Sequence, residues 1–265
     1  MNINFLVLFL LFIPFSSAAE DIDVTIHVDD AYQPFSFSEN GHAKGMYIDV
    51  LRIAFSKMKG FNVTIEPVPW NKGKKMMDEG KGFALIPAFF HGRTWPYLYP
   101  YSLPFYAETI ISVCTEEVLK QPRPNWPADY RRLVIGNLAG FDEWGGVALK
   151  ASVIKSQIDY HKVKNADVLI KMIINDHLDC ILMENREFDY VFKHILESGV
   201  HGDKVHSELI KGPVVGSNPV SIGYSESAIK SGKYPYAHEF QKAFDVVIHK
   251  MIKSGEIEKI MNAYQ

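Results

Sequence analysis

Hydrophobic positions in the first half of the chain switch between a strand period and a helix period. Strands are predicted at 24–28, 62–68 and 83–89, a helix with an apolar stripe at 45–57, and a short helix at 72–79 that ends before Gly80 and Gly82. Loop is predicted at 30–37. The strand-helix-strand-helix-strand order predicts a parallel sheet with right-handed crossovers.

A proline-rich segment then interrupts the pattern. Pro122, Pro124 and Pro127 lie within 116–129, so neither a helix nor a central strand is expected there. A second α/β unit follows. Its predicted strands are 133–136, 158–160 and 178–183, with helices within 140–155, 168–175 and 186–197. A strand at 221–224 and a long helix at 237–254 precede the C-terminal segment.

The N-terminus resembles an export signal. An apolar run covers 5–15, and the small residues Ser16 to Ala19 follow it. The run is shorter than the roughly 20 apolar residues that span a bilayer. We therefore predict a cleavable signal peptide at 1–19 and a periplasmic protein. No Lys or Arg precedes the run, so an uncleaved anchor is the alternative.

Composition narrows the possible functions. The 265 residues are 47% hydrophobic with a formal net charge of -3, which gives no reason to expect a nucleic-acid partner. The chain has no nucleophile elbow, zinc helix or phosphate loop, so no cofactor or metal is expected. Cys114 and Cys180 are expected to be buried small hydrophobes, although export would permit a disulfide.

Four motifs occur in a specific order. They are DDAYQPFSF from Asp29, GMYIDVL from Gly45, VPW ending at Trp70, and YSLP ending at Pro104; the chain closes with KMIKSGEIEKIMNAY. In this order they resemble the bacterial extracellular solute-binding proteins of family 3, which are periplasmic receptors of polar amino-acid importers. The resemblance covers essentially the whole mature chain.

The resemblance implies an α/β, two-lobed type II periplasmic-binding-protein clamshell. Each lobe would be a sheet flanked by helices, with two strands crossing between the lobes. Lobe 1 is predicted to comprise 22–112 and 220–265, and lobe 2 to comprise 116–210. The hinge is predicted near 112–116 and 211–220.

Candidate ligand-binding residues lie at strand ends, where open α/β sheets bind ligands. Tyr32 and Trp70 follow the first two strands and match the aromatic positions of the family. Glu184 follows the strand 178–183, where the family places an Asp that binds the ligand ammonium group. The other candidates are Phe89, Arg93, Trp95, Phe141 and Asp142.

The chain departs from the family where a ligand carboxylate is gripped. Trp95 stands at the position of the family Arg, and the nearest guanidinium, Arg93, is two residues early. Bidentate Arg–carboxylate pairing depends on geometry, so this displacement weakens it unless the loop is rebuilt. Gly140-Phe141-Asp142 replaces a Gly-Thr/Ser-Thr turn. Asp142 would cap a helix or attract a cationic group.

We therefore expect a monomeric binding protein for a small amino-acid-like ligand that is cationic or aromatic. An ABC permease or a membrane sensor would be its partner. One alternative is an enzyme similar to cyclohexadienyl dehydratases, with Glu187 as a conceivable general acid. Another is a degenerate homologue whose pocket is filled by Phe89, Phe90 and Trp95.

Overall fold

The protein is represented by a computed structural model that describes residues 20–90, 92, 94–141, 144–199 and 208–264. The predicted signal peptide at 1–19 lies outside the described residues, as do Arg93 and Asp142. Within the described part of the chain, no helix has the length and hydropathy required to span a bilayer.

The first unit confirms the predicted alternation of strands and helices. Its elements are β1 (Ile22–Asp29), β2 (Ala31–Tyr32), β3 (Ser36–Glu39), β4 (His42–Lys44), α1 (Met46–Ser56), β5 (Phe61–Val68), α2 (Trp70–Asp78), β6 (Ala84–Ala88) and β7 (Leu98–Tyr101). β1 pairs in parallel with both β5 and β6. The parallel sheet predicted for this unit is therefore confirmed.

The prediction of loop at 30–37 was wrong at 31–32 and 36–37, where β2 and the start of β3 lie; with β4 they form a small antiparallel sheet. Local hydrogen bonds stabilise its start: the Asp29 carboxylate accepts from Ala31 N at 3.0 Å, and the Ser36 hydroxyl donates to the Asp29 carbonyl at 2.6 Å. Gly45 ends the sheet with φ 116°, and a Cβ there would lie 2.5 Å from the Phe35 carbonyl oxygen. Only glycine fits this close approach.

The second unit and the C-terminal segment follow. Their elements are β8 (Tyr106–Thr115), α3 (Glu116–Leu119), a 3₁₀ turn (Ala128–Tyr130), β9 (Val134–Leu138), α4 (Gly146–Ile154), β10 (Asp159–Val163), α5 (Ala166–Ile174), β11 (Cys180–Glu184), α6 (Asn185–Glu197), β12 (Leu209–Ser225), α7 (Glu226–Lys230), α8 (Ala237–Lys253) and α9 (Glu256–Asn262). α3 corrects the expectation that 116–129 contains no helix. It ends before Pro122, the first proline of the segment.

One sheet runs through both units. Its strand order is β10-β9-β11-β8-β12-β6-β1-β5, and β7 also pairs with β12. The long antiparallel ladder of β8 with β12, from Leu209↔Thr115 to Val220↔Tyr106, joins the two halves. Strand 221–224 is thus the end of a much longer strand than predicted. Below, lobe 1 denotes the half with β1, β5 and β6, and lobe 2 the half with β9, β10 and β11; the predicted hinge limits stay predictions.

Helices cover each half with apolar faces that the sequence spacing sets. α8 buries Phe240, Phe244, Ile248 and Met251, which are spaced by three or four residues along one stripe. α9 packs on both α1 and α8, so the C-terminal segment belongs to the core of lobe 1. β6 and β11 are buried along their whole length, as expected for strands covered on both faces.

The expectation that the cysteines are free core residues was wrong. Cys114 and Cys180 face each other in the antiparallel ladder of β8 with β11 and form a disulfide across 66 residues of sequence. The sequence predicted both strands but not that they would be neighbours in register. The bond fastens β11 of lobe 2 to β8, one of the two strands that join the lobes.

Candidate ligand site

A cavity of about 350 Å³ lies between the carboxyl ends of strands from both lobes. Lobe 1 contributes the ends of β1 and β5 and the start of α2, and lobe 2 contributes the end of β9 and the starts of α5 and α6. The residues around it are Asp29, Asp30, Ala31, Tyr32, Pro69, Trp70, Asn71, Leu138, Ala139, Phe141, Lys164, Asn165, Ala166 and Glu187. This is the edge at which open α/β sheets bind ligands.

Five predicted aromatic residues form one connected layer, here called the aromatic wall: Tyr32, Trp70, Phe89, Trp95 and Phe141. The Tyr32 and Phe141 ring centroids are 5.4 Å apart, and Trp70 stacks on Phe141 at 6.5 Å. Trp95 meets Trp70 edge-on at 5.6 Å and Phe89 at 6.3 Å. Because Phe141 belongs to lobe 2 and the other four to lobe 1, the wall closes across the cleft.

Gly140 and Lys74 complete this side of the cleft. Gly140 has φ 98°, and a Cβ at its position would lie 3.3 Å from Trp70 Cδ1. The backbone of lobe 2 therefore comes against the indole of lobe 1. Lys74 Nζ lies 5.6 Å from the Trp70 ring centroid and 5.7 Å from that of Trp95, within cation–π range of both.

Three glutamates lie behind the aromatic wall and are here called the acidic floor: Glu108, Glu184 and Glu187. They are 0%, 1% and 2% exposed. Glu108 lies on β8, Glu184 ends β11, and Glu187 is in the first turn of α6 and also borders the cavity. Burying three carboxyl groups together is costly unless each finds a partner, so their partners decide what this region can bind.

Glu184 has partners for both oxygens. Its Oε2 accepts from Arg186 N at 2.5 Å and Glu187 N at 3.1 Å, and its Oε1 accepts from Thr109 N at 3.4 Å. It is thus the N-cap of α6, where a carboxylate also meets the positive end of the helix dipole.

Glu108 and Glu187 each keep one buried oxygen without a hydrogen bond. Glu108 Oε1 accepts from the Tyr47 hydroxyl at 2.7 Å, but its Oε2 has no partner, and neither has Glu187 Oε2. The Tyr32 hydroxyl is also buried and makes no hydrogen bond of normal geometry, although it is near enough to favour the charged form of Glu108. Three polar groups are therefore left over in one place.

Burial governs the ionisation of these groups. It raises the pKa of Glu108 and of Glu187 well above the ordinary value, and repulsion from Glu184 raises both further. Burial also raises the pKa of Glu184, which its backbone hydrogen bonds partly offset. Asp29, which also borders the cavity, has a pKa raised to about 7, again mainly by burial. A positive charge among these groups would reverse the effect and favour the ionised forms.

The structure brings together the predicted aromatic residues and Glu184, while Arg93 and Asp142 lie outside the described residues. Tyr32, Trp70, Phe89 and Trp95 are buried and Phe141 is half-buried. Phe90 is 74% exposed and does not fill the cavity.

Sequence reasoning missed Glu108 and considered Glu187 only as a general acid. The available signal was a lone charge in the apolar run of β8, YAETIISVCT. A glutamate in such a run is rarely fully buried without a partner.

Comparison with known protein families covers nearly all of the described residues. The family model described as bacterial extracellular solute-binding proteins, family 3, matches residues 24–265. The chain belongs to this family. A search among curated protein sequences gives no significant match.

Solved structures share the fold at low identity. A structure from work on glutathione import via GshT and the cystine ABC importer TcyBC of Streptococcus mutans has a TM-score of 0.69 and 16% identity, covering 92% of this chain and 95% of that one. A histidine kinase sensor domain similar to periplasmic binding proteins has a TM-score of 0.68 and 11% identity, and the match covers 92% of this chain and 96% of that one. The arginine-, lysine-, histidine-binding protein ArtJ of Geobacillus stearothermophilus has a TM-score of 0.63 and 16% identity, and the match covers 90% of this chain and 93% of that one. The fold is therefore that of a two-lobed type II periplasmic binding protein.

Proposed function

We propose that this solute-binding protein closes on a small cationic molecule with an apolar or aromatic body. The main observation in support is that the aromatic wall and the acidic floor meet at one cavity of about 350 Å³ between the lobes. Rings from both lobes would enclose the body of the ligand, and the carboxyl groups would receive its charge. A ring that faces a cation adds about 0.5–2 kcal/mol.

Charge favours a cation over an anion. Asp29, Asp30 and Glu187 border the cavity, and Glu108 and Glu184 lie behind it. Lys164 also borders the cavity, Lys74 lies against the rings of Trp70 and Trp95, and Arg186 lies in α6 next to Glu184, so carboxyl groups outnumber cationic side chains in this region. Among the described residues no His, Cys, Asp and Glu group has the arrangement of a metal site, which supports an organic cation as the ligand.

Two solved structures with this fold suggest the kind of membrane partner. One is the substrate binding protein of an amino acid ABC transporter, and the other is a histidine kinase sensor domain. We propose that a separate membrane protein, either an importer permease or a sensor, reads the closed form. Ligand binding favours that form because the wall is complete only when Phe141 of lobe 2 meets Trp70 of lobe 1.

A thermal-shift screen of the purified mature protein tests the proposal. The panel contains arginine, lysine, putrescine and phenethylamine, with glutamate and aspartate as anionic controls. We expect at least one cation to raise the melting temperature, because a ligand that binds only the folded state stabilises it. Calorimetric titration then measures the affinity.

Three results would contradict the proposal. Tight binding of glutamate or aspartate would reverse the expected charge preference. No response to any cation would favour the degenerate homologue, and turnover of prephenate would favour the dehydratase-like enzyme.

A further inference from the structure

In the acidic floor, the carboxyl group of Glu184 has a structural role, whereas those of Glu108 and Glu187 have no full set of partners. Glu184 accepts hydrogen bonds from three backbone amides and caps α6. Glu108 and Glu187 each retain an unpartnered oxygen although they are almost completely buried. Buried polar atoms in native proteins nearly always have a partner, so a leftover pair in one place points to a group that arrives from outside.

We propose that Glu108 and Glu187, together with the Tyr32 hydroxyl, form a subsite for the ammonium group of the ligand, with Glu184 as a positioning residue. This inference rests on the proposed function and names the chemical group recognised. An ammonium has three N–H donors, and the subsite offers three buried oxygens: Glu108 Oε2 and Glu187 Oε2, which have no hydrogen bond of normal geometry, and Tyr32 Oη, which lies beside Glu108.

Access to this subsite runs through the cavity. Tyr32 and Glu187 border the cavity directly. Glu108 is fully buried and immediately precedes Thr109, whose amide donates to Glu184 at 3.4 Å; Glu184 in turn accepts from Glu187 N, which brings Glu108 close to the inner side of the cavity. A ligand would therefore enter with its charged end first and leave its body between the rings of Tyr32, Trp70 and Phe141.

The three residues belong to different parts of the clamshell. Tyr32 follows β1 of lobe 1, Glu187 lies on α6 of lobe 2, and Glu108 lies on β8, which pairs with β12 between the lobes. Tyr47 of α1 holds Glu108 from the lobe 1 side. One ammonium group would thus hold both lobes and a joining strand together, which links recognition of the charge to closure.

Binding at this subsite also predicts proton release. The unpartnered carboxyl groups are buried beside each other, and a cation favours their ionised forms. Calorimetry in buffers of different ionisation enthalpy counts the protons that leave. We expect a net release on binding of phenethylamine near neutral pH.

The experiment compares phenethylamine with 2-phenylethanol, which has the same body and no charge. We measure both by calorimetry with the full mature protein and with E108Q, E187Q, E184Q and the surface control E239Q. We expect phenethylamine to bind at least tenfold more tightly than 2-phenylethanol. E108Q and E187Q should each weaken phenethylamine binding at least tenfold and reduce proton release, while E239Q leaves both unchanged. E184Q should lower the melting temperature and change affinity less than either.

The outcomes separate the two proposals. If the protein binds a cation of the screening panel while E108Q and E187Q bind it as tightly as the wild type, the subsite is wrong and the proposed function stands. Equal affinity for phenethylamine and 2-phenylethanol also overturns the subsite. If the wild type binds no cation, both proposals fail. Melting curves of every variant show that each one folds.

Discussion

The aromatic wall and the acidic floor are neighbours, yet they are stabilised in opposite ways. Each ring of the wall already packs on another ring of the wall. The floor instead retains unpartnered buried oxygens on Glu108 and Glu187. Rings gain free energy from burial whether or not a ligand is present, whereas carboxyl groups need an opposite charge. The wall thus supports the fold, and the floor carries a cost that a ligand can relieve.

The largest expected effect is the change with pH in the free energy of unfolding of the ligand-free protein. The ionisable groups around the floor are Asp29, Tyr32, Tyr47, Lys74, Tyr106, Glu108, Glu184, Arg186 and Glu187. Because the pKa values of these carboxyl groups are raised in the folded state, the folded protein holds more protons than the unfolded protein above about pH 4. This difference persists up to the folded-state pKa of each group, which is about 7 for Asp29. The free energy of unfolding should therefore fall as pH rises through this range, by on the order of several kcal/mol.

Urea unfolding at a series of pH values measures this slope. A variant with both E108Q and E187Q should show a shallower slope, because it lacks two of the raised carboxyl groups. A stability that rises from pH 4 to pH 7 would show that the floor is not a source of strain in the absence of ligand.

The next largest effect tests the wall. Trp70 is 8% exposed and contacts Trp95 and Phe141. Trp70→Ala should lower the free energy of unfolding by about 3–5 kcal/mol, since it removes a large buried ring. Phe90→Ala, at a ring that is 74% exposed, is the matched control and should change stability by no more than about 0.5 kcal/mol. Equal losses from the two substitutions would contradict a supporting role for the wall.

A smaller loss is expected for the capping carboxylate. Glu184→Ala deprives the backbone amides of Thr109, Arg186 and Glu187 of their acceptor. Removing an N-cap costs about 1–2 kcal/mol, and denaturant unfolding measures it. Glu184→Asp should retain part of the cap. No loss in either variant would mean that Glu184 does not hold the start of α6.

The smallest effect has the opposite sign. Glu108→Gln should raise the free energy of unfolding of the ligand-free protein by about 1 kcal/mol, because a neutral amide can still accept from Tyr47 and ends the repulsion between buried carboxyl groups. Thermal unfolding at pH 7.5 measures the change. A clear destabilisation would show that Glu108 stabilises the folded protein and would argue against its role in ligand recognition.

The sequence predicted the wall far better than the floor, and the reason is geometric. Tyr32 and Trp70 directly follow predicted strands, and parallel strands end at the same edge of a sheet, so the meeting of these two rings could be predicted from topology alone. Glu108 lies inside β8, where no strand-end rule applies. Its approach to Glu187 depends on how β8 pairs with β11 and on where α6 begins. The pairing register of two strands that are distant in sequence cannot be predicted from the local sequence of either strand.

Two of the errors in the fold also concern features that local sequence does not show. Cys114 and Cys180 were each placed on the correct strand, yet their pairing required the register of β8 with β11. The sheet of β2, β3 and β4 is built from very short strands held by the Asp29 and Ser36 hydrogen bonds. Strands of two to four residues are too short to show a hydrophobic period.

The contact of Trp70 with Gly140 and Phe141 gives the molecule an intrinsic optical reporter. The Trp70 indole touches both lobes, whereas Trp126 donates to the Gly145 carbonyl within lobe 2 and Trp144 is buried there. Separation of the lobes would expose the Trp70 indole to water and leave the two lobe 2 indoles in place. Its fluorescence emission would then move to longer wavelength on opening, so that closure could be followed without attaching a dye.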